Sequence, residues 1–275
     1  MKKITQLALV LGVAASGYAL ASPEADRAAF QNFYEKRFPQ VTEGDFINGV
    51  YSILPAAREQ WEAIEEFPPY EVAIEDGEEL YNTVFANGKS LADCFDTPAQ
   101  RENYPYWDAD RGKVVTMEMA INECRVANGE KPYKTKKGAV AAVSAYMSYE
   151  SRGQMINVQI PTDDAGAMAA YNEGKEIFYT KRGQLNFACS DCHMYGSGLN
   201  ARADTMSPAF GHASHWPVYR SKWQAMGTLH RRFAGCMTNV RAKPFRAQGT
   251  EYANLEYFLT YMSNGLEFNG PGARK

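Results

Sequence analysis

Residues 189–193 read C-x-x-C-H, so the chain must fold around whatever these two cysteines and one histidine hold. Cys189 and Cys192 are separated by two residues, and His193 follows directly. Two cysteines at this spacing can each form a thioether with a vinyl group of haem, while the adjacent histidine binds the iron. A redox dithiol needs no adjacent histidine, and a zinc site needs a second ligand pair. The motif therefore predicts one covalently bound haem c.

The first 21 residues have the three-part pattern of a secretory signal peptide. Lys2 and Lys3 precede an apolar run at residues 7–13, and small residues follow at 19–21. The apolar run is shorter than a bilayer requires, which favours a cleaved signal over a retained anchor. We therefore expect a mature chain from about Ser22, located in the periplasm and without a membrane anchor.

Charge and cysteine content limit the possible functions. Without Lys2 and Lys3, 27 basic side chains remain against 32 acidic ones, a net charge of −5. Nucleic-acid binding requires a basic surface, so we expect no nucleic-acid partner. Cysteines outside the cytoplasm are paired, metal-bound or reactive, yet this chain has five, an odd number. Cys94, Cys124 and Cys236 therefore need a role beyond the haem motif.

Two parts of the chain repeat one another at a constant interval in the sequence. This interval equals the sequence separation of Cys124 and Cys236, and we call it the repeat spacing. The other identical residues at the repeat spacing are Pro105 and Pro217, Thr116 and Thr228, Lys131 and Lys243, and Pro132 and Pro244. After a shift of three residues, Tyr146-Met147-Ser148 also matches Tyr261-Met262-Ser263. The repeat predicts two related domains, at residues 22–150 and 166–275, joined by a linker at 151–165.

Both segments that flank the haem motif have the apolar spacing of helices. One precedes the motif and contains Gly174, and the other runs from Thr250 to a stop at Gly265. A glycine in the first helix lets the second cross it closely, as the terminal helices of small cytochrome c domains do. No strand pattern persists. The predicted fold class is mainly α, with two tandem cytochrome c-like domains.

The first of these predicted domains has no haem-attachment motif. Cys94 is followed by Phe95 and Asp96, and no histidine precedes His193. The repeat places Cys94 near Cys192 and Cys124 on Cys236, so both cysteines face the space that a haem would fill. We therefore predict a degenerate domain in which a Cys94–Cys124 disulfide replaces the haem, with two free thiols as the alternative.

Cys236 lies 43 residues after His193, where a small cytochrome c places its axial methionine. It is a thiolate ligand of the iron, a structural thiol, or half of an intermolecular disulfide, and we favour the ligand. A thiolate lowers the reduction potential of haem and places a nucleophilic sulfur beside a redox centre. Met226 and Met237 are the competing ligands and would make the protein an electron carrier.

Basic residues surround Cys236 in the sequence. They are Arg231, Arg232, Arg241 and Lys243. Positive groups lower the pKa of a thiol and can hold a dianion, although a run of this kind is also typical of a solvated face. We select Arg232, one helical turn before Cys236, as the functional residue. We expect His212, His215 and His230 to be surface residues or hydrogen-bonded core residues.

The second half resembles the SoxA family, the catalytic subunits of the SoxAX cytochromes of bacterial thiosulfate oxidation. The resemblance runs through GQLNFACSDCHMYG, HASHWPVYRSKWQAMGTLHRRFAGC and VRAKPF, and more weakly through the first domain. The discriminating part is R-x-x-x-C before the last helix. In that family the cysteine binds the haem and is found as a persulfide, and the arginine lies in the active site. The resemblance assigns these roles to Cys236 and Arg232, and it points to the single-haem branch, in which a disulfide replaces the first haem.

The resemblance implies an L-cysteine S-thiosulfotransferase. Such an enzyme joins thiosulfate oxidatively to a cysteine of the carrier SoxYZ, with the sulfur of Cys236 taking the thiosulfate first. The electrons leave through the haem of SoxX, the heterodimer partner. The alternatives are an electron-transfer cytochrome with an axial methionine and a thiosulfate dehydrogenase that forms tetrathionate, although the latter generally carries a second haem.

Overall fold

The computed structural model describes residues 22–274, and these residues form a mainly helical fold. The signal peptide predicted at 1–21 lies outside the described residues. The α-helices are α1 (Pro23–Arg37), α2 (Val50–Ile53), α3 (Pro55–Glu65), α4 (Glu71–Asn82), α5 (Met117–Ala127), α6 (Ala139–Glu150), α7 (Ala165–Tyr179), α8 (Leu229–Asn239) and α9 (Thr250–Met262). Between residues 22 and 274, no helix combines the length and apolar character needed to cross a membrane.

Short strands form three small sheets in the described part of the chain. β1 (Tyr106–Asp108) pairs antiparallel with β2 (Lys113–Val115), and β3 (Asn200–Ala201) pairs antiparallel with β4 (Asp204–Thr205). β5 (Val218–Arg220) lies between antiparallel β6 (Ala225–Gly227) and parallel β7 (Gly272–Arg274). The sequence predicted none of these strands, because runs of two or three residues are too short to show alternation.

Two close helix crossings, α4 on α6 and α7 on α9, organise the two halves. At each crossing a glycine lies against the partner helix. A Cβ on Gly77 would overlap the carbonyl of Ala142, and a Cβ on Gly174 would overlap the carbonyl of Asn254. Any larger residue at either position would force the helices apart, because packed interiors hold no spare volume.

The elements recur at the repeat spacing found in the sequence. β1, β2 and α5 correspond residue by residue to β5, β6 and α8. The two peptide bonds that precede Pro105 and Pro217 are both cis. Both α5 and α8 contain 11 residues, and each follows a threonine N-cap, Thr116 or Thr228, whose side chain accepts a backbone N–H.

The packing corrects one part of the sequence alignment. Tyr146 of α6 packs on Gly77, and Phe258 of α9 packs on Gly174. Tyr146 therefore corresponds to Phe258 at the repeat spacing, whereas the sequence paired Tyr146 with Tyr261. The run of three identical residues is a local coincidence, because the glycine contact fixes which residue faces the crossing helix.

The main aromatic core lies in the second half and also receives α1. Phe30 and Tyr34 of α1, together with Phe46, pack against Phe178 and Phe258. Residues 23–48 therefore pack on the second half, although the sequence placed them in the domain 22–150. Their apolar side chains predict burial but do not say which half covers them.

The first half has its own buried cluster, and a disulfide joins one of its members, Cys124, to the exposed Cys94. Tyr81, Ile121 and Val143 are among its buried side chains. A disulfide joins Cys94 to Cys124 of α5 across a Cα–Cα distance of 6.0 Å. This bond connects the segment after α4 to α5, and it is the pairing that the sequence favours over two free thiols.

Charged side chains are buried where the two halves meet. Arg101 lies 3.6 Å from Glu118 and 3.4 Å from Glu256. Ser144 donates to Glu118 at 2.8 Å, and His230 Nε2 lies 3.1 Å from Glu256. All five side chains are at most 3% exposed. Burial raises the pKa of Glu256, but the neighbouring His230 and the charge of Arg101 hold that pKa below its usual value.

Candidate functional site

The C-x-x-C-H motif lies at a π-helical turn, Asp191–Tyr195, that begins just after Cys189. The carboxylate of Asp191 accepts the backbone N–H of Ala188 at 2.8 Å and so fixes the start of the turn. Burial raises the pKa of Cys189 to about 12 and also raises that of Cys192. Both thiols are therefore neutral at pH 7 in the folded chain.

His193 is held by its ring and by its backbone. Its Nδ1 lies 3.0 Å from the carbonyl oxygen of Ser207. A carbonyl only accepts, so Nδ1 carries the proton and Nε2 keeps the lone pair that a metal needs. The carbonyl of His193 accepts from the hydroxyl of Tyr34 at 2.7 Å and from the N–H of Ala209 at 3.0 Å. This is the ring orientation expected of a histidine ligand.

Cys236 is half-buried on α8 and lies beside His193, close enough for the histidine to act on the pKa of its thiol. Burial raises the pKa of this thiol. The charge of Arg232, the adjacent His193 and the charge of Arg220 more than offset burial, so that the pKa falls to about 7. Cys236 thus differs from Cys189 and Cys192, because its surroundings favour the thiolate, whereas theirs favour the neutral thiol.

These residues fit the haem c that the sequence predicts. Cys189, Cys192 and Cys236 lie close together, because a negative charge on Cys236 raises the pKa of both Cys189 and Cys192. A histidine nitrogen and a thiol on separate elements, with two further thiols beside them, form the donor set of a His/Cys-ligated haem c. His193 and Cys236 would bind the iron, and Cys189 and Cys192 would form the thioethers.

Two arginines act on Cys236, and the sequence identified only one of them. Arg232 lies one helical turn before Cys236, as predicted from R-x-x-x-C. Arg220 comes from β5, and burial and the charge of Arg232 lower the pKa of its guanidinium to about 10. The sequence signal for Arg220 was its position in HWPVYRSKW, which says nothing about proximity to α8. The fold alone brings the two together.

The other predicted basic residues have different surroundings. Arg231 lies over the ring of Trp223, 4.1 Å from its centroid, and donates to the carbonyl of Met226 at 3.3 Å. Arg241 and Lys243 lie beyond the end of α8. None of the three is among the main contributors to the pKa of Cys236. Arg241 and Lys243 are exposed, as a solvated face requires, whereas Arg231 packs on Trp223.

The two methionines proposed as rival ligands lie in different environments. Met226 is buried in a cluster with Tyr70, Ala141 and Ala145, a cluster that includes no residue of the haem motif. Met237 follows Cys236 on α8 and packs, partly buried, against the main core. The packing of Met226 argues against it as an iron ligand, since its side chain is committed to the contact between α6 and the β5–β7 sheet.

The remaining histidines make structural contacts. The ring of His212 lies 4.5 Å from that of His193, and its Nε2 is 2.6 Å from the hydroxyl of Ser207. Nδ1 of His215 donates to the carbonyl of Ile47 at 3.2 Å. Burial lowers the pKa of both His212 and His215, so both rings are neutral near pH 7. With His230 buried beside Glu256, the prediction of hydrogen-bonded core residues accounts for all three.

The helix crossings, the C-x-x-C-H turn and the neighbouring donors His193 and Cys236 define the class of protein as a cytochrome c. Comparison with known proteins narrows that class. The family described as SoxA/TsdA, cytochrome c domain, matches residues 76–156 and 173–268. The chain belongs to the SoxA family.

Individual relatives give the same result over nearly the whole chain. The L-cysteine S-thiosulfotransferase subunit SoxA of Allochromatium vinosum is 60% identical over 256 residues, covering 93% of this chain and 91% of that protein. The subunit of the same name from Chlorobaculum tepidum is 56% identical over 253 residues, covering 92% and 88%. The crystal structure of SoxXA from P. pantotrophus superposes with a TM-score of 0.72 at 30% identity, covering 79% of this chain and 84% of that one.

Proposed function

We propose that this chain is the catalytic, haem-bearing subunit of an L-cysteine S-thiosulfotransferase, which couples thiosulfate to a cysteine of a SoxYZ-type carrier. The observation that carries the proposal is the setting of Cys236. Its pKa is lowered to about 7, and it lies beside Arg232, Arg220 and His193, the proposed iron ligand. A sulfur activated by cations and placed at a redox centre suits covalent chemistry on an anionic sulfur compound.

The two arginines have separate tasks in this mechanism. Arg232 stabilises the thiolate of Cys236, and the guanidinium groups of Arg232 and Arg220 together offset the charge of bound thiosulfate. The overall reaction is RS⁻ + S₂O₃²⁻ → RS–SSO₃⁻ + 2 e⁻, where RS⁻ is the thiolate of the carrier. When bound, the haem supplies the route by which these electrons leave, one at a time.

Cys236 forms the intermediate bond. Oxidation joins its sulfur to the terminal sulfur of thiosulfate. The thiolate of the carrier then attacks that terminal sulfur, the bond to Cys236 breaks, and Cys236 leaves as a thiolate. A leaving group with a pKa near 7 favours this second step. The family resemblance implies a persulfide on Cys236. In that case the outer sulfur of the persulfide would take the place of the Cys236 sulfur in both steps.

We also propose that the chain carries a single haem and consists of two tandem cytochrome c-like domains, the first of them degenerate. Three observations support this organisation. The sequence contains C-x-x-C-H at Cys189–His193 and at no second place. The secondary structure repeats at the same spacing as the sequence. Cys124, the counterpart of Cys236, is bonded to Cys94.

The proposed partners follow from the relatives and from the surface near the haem motif. The related crystal structure is that of SoxXA, which supports SoxX as a heterodimer partner that receives the electrons. Large apolar side chains are exposed on either side of the motif, namely Leu185, Phe187, Tyr195 and Leu199.

The signal-peptide pattern at 1–21 supports a periplasmic location, where the SoxYZ carrier would bind transiently.

Reconstitution with SoxX, the SoxYZ carrier and an electron acceptor tests the proposed function. We expect thiosulfate-dependent reduction of the acceptor together with an S-thiosulfonate on the carrier cysteine, detected by mass spectrometry. Arg232→Lys should slow this coupling, and Arg231→Lys, which changes the guanidinium stacked on Trp223, serves as the matched control. Tetrathionate formed with an unmodified carrier would instead show a thiosulfate dehydrogenase, and the absence of any thiosulfate-dependent reduction would show an electron carrier.

A further inference from the structure

Helix α1 contacts the haem-attachment turn although it lies outside the matched cytochrome segments, which begin at residue 76. Two of its side chains donate to backbone carbonyls of the turn and of the residues that follow. Tyr34 donates to His193 O at 2.7 Å, and Arg37 donates to Tyr195 O at 2.9 Å and to Ser197 O at 2.8 Å. A helical turn of five residues leaves carbonyls at its C-terminal end without intrahelical partners. α1 supplies donors for them.

The hydroxyl of Tyr34 is the buried member of this set. Its ring is 0% exposed, whereas Arg37 is exposed to water. The same hydroxyl accepts the backbone N–H of Ala209 at 3.2 Å. Its donor and acceptor capacities are therefore both used, one on His193 and the other on the loop that follows Ser207.

That loop also fixes the ring of His193. The carbonyl of Ser207, two residues before Ala209, accepts from Nδ1 of His193 at 3.0 Å. Ala209 N–H donates to the carbonyl of His193 at 3.0 Å. One hydroxyl of α1 therefore connects the backbone of His193 to the loop that sets the direction of its ring, in a position closed to water that could replace it.

We propose that Tyr34 is a positioning residue for His193 as the axial ligand of the haem. Its hydroxyl keeps the backbone of His193 and the loop of Ser207 in register, so that Nε2 stays directed at the iron. Without the hydroxyl, His193 leaves the iron under conditions in which the helices are still folded. The inference rests on His193 as a ligand, within the proposed function, but not on the sulfur chemistry of Cys236.

The test is Tyr34→Phe in the haem-loaded protein, because phenylalanine keeps the buried ring and removes only the hydroxyl. Guanidinium unfolding is followed in parallel by haem absorption, which reports axial ligation, and by far-ultraviolet circular dichroism, which reports helix. In the unaltered protein we expect the two transitions to coincide. In Tyr34→Phe we expect ligand release to precede unfolding, with a release equilibrium roughly fivefold more favourable, as for the loss of one hydrogen bond.

Tyr171→Phe is the matched control. Tyr171 is 1% exposed, and its hydroxyl donates to Asp26 of α1 at 2.9 Å, so this variant also weakens the attachment of α1. It leaves every hydrogen bond to His193 and its loop unchanged. We expect it to move both transitions together. If Tyr34→Phe also moves both transitions together, the hydroxyl of Tyr34 only stabilises the fold and the proposal is wrong.

Repeating Tyr34→Phe in a Cys236→Met background separates this inference from the proposed function. If His193 is the bond that opens, early ligand release persists when the other axial ligand is changed. If early release disappears in that background, the hydroxyl acts on the sulfur side and the assignment to His193 fails. Loss of thiosulfate coupling by Cys236→Met bears on the proposed function alone.

Discussion

Cys124 and Cys236 occupy corresponding positions on α5 and α8, yet they have different surroundings. Cys124 lies in the apolar cluster of the first half and is bonded to Cys94, which is exposed. Cys236 forms no disulfide and lies beside His193, and its pKa is lowered to about 7. The same helix therefore delivers a sulfur to the same place in both halves, and the neighbours of that sulfur decide whether it is a structural bond or a reactive group.

The neighbours differ at identifiable positions. At the repeat spacing, Arg232 corresponds to Ala120, and Arg220 corresponds to Asp108. The first half thus lacks both cations that favour a thiolate, and it places a carboxylate where the second half has a guanidinium. A thiolate at Cys124 would gain little from this environment, which is consistent with its use in a disulfide.

The two halves also share one buried contact at their junction. Glu118 and Ser144 correspond to His230 and Glu256 at the same spacing, and both pairs meet Arg101. His230 lies on α8, two residues before Arg232. The junction therefore helps to fix α8, the helix that carries Cys236. The contacts are made by buried side chains of opposite charge.

The largest expected effect separates the two cysteines by activity. Cys236→Ala removes the sulfur that we propose forms the intermediate bond, and we expect thiosulfate coupling to fall by at least about 10³-fold. The double variant Cys94→Ser/Cys124→Ser should keep coupling close to that of the unaltered protein at a temperature where it is folded. Carrier modification by mass spectrometry measures both, and equal losses in the two variants would contradict the division of roles.

The second prediction concerns the shared junction. Arg101→Met leaves Glu118 and Glu256 buried without their cation, and we expect a loss of about 3–5 kcal/mol in the free energy of unfolding. The matched control is Arg58→Met, because Arg58 pairs with Asp45 at 2.7 Å but is 35% exposed, and exposed pairs contribute at most about 1 kcal/mol. Equilibrium denaturation measures both, and similar losses would show that the junction carries no special share of the stability.

The third prediction concerns the disulfide of the first half. Reduction of Cys94–Cys124, which closes a sequence separation of 30 residues, should lower the stability of that half by about 3–4 kcal/mol in the chain-entropy model. Hydrogen exchange should therefore accelerate in α4, α5 and α6 and change little in α7 and α9. Uniform acceleration across both halves would mean that they unfold as one unit.

The smallest predicted effect is a change in pH dependence at the reactive sulfur. Arg232 favours the thiolate, so Arg232→Ala should raise the pKa of Cys236. Protonation then becomes easier, and absorption typical of a thiolate-ligated haem should disappear at a higher pH on acidification than in the unaltered protein. Arg231→Ala, which alters the contact with Trp223, should leave this titration unchanged. If the titration of Arg232→Ala is not shifted, Arg232 does not act on Cys236.

The haem motif and the Arg232–Cys236 pair were predictable because each depends on a short, fixed spacing, and the repeat was predictable because identical residues recur at one constant interval. The mainly helical, cytochrome c-like fold was confirmed for the same reason: glycines and apolar spacing determine the helices. Arg220 and Tyr34 were not predictable. Each reaches the site through a contact between elements that are far apart in the sequence. Neither residue belongs to a sequence pattern from which its contact partner could be inferred.

The central claim is that Cys236 and His193 bind the two axial positions of one haem. Electron paramagnetic resonance of the oxidised, haem-loaded protein tests it most directly, in comparison with Cys236→Met. We expect a low-spin signal of thiolate type in the unaltered protein that changes on substitution. A His/Met signal in the unaltered protein, unaffected by the substitution, would contradict the claim and leave an electron carrier with Met237 as the ligand to examine.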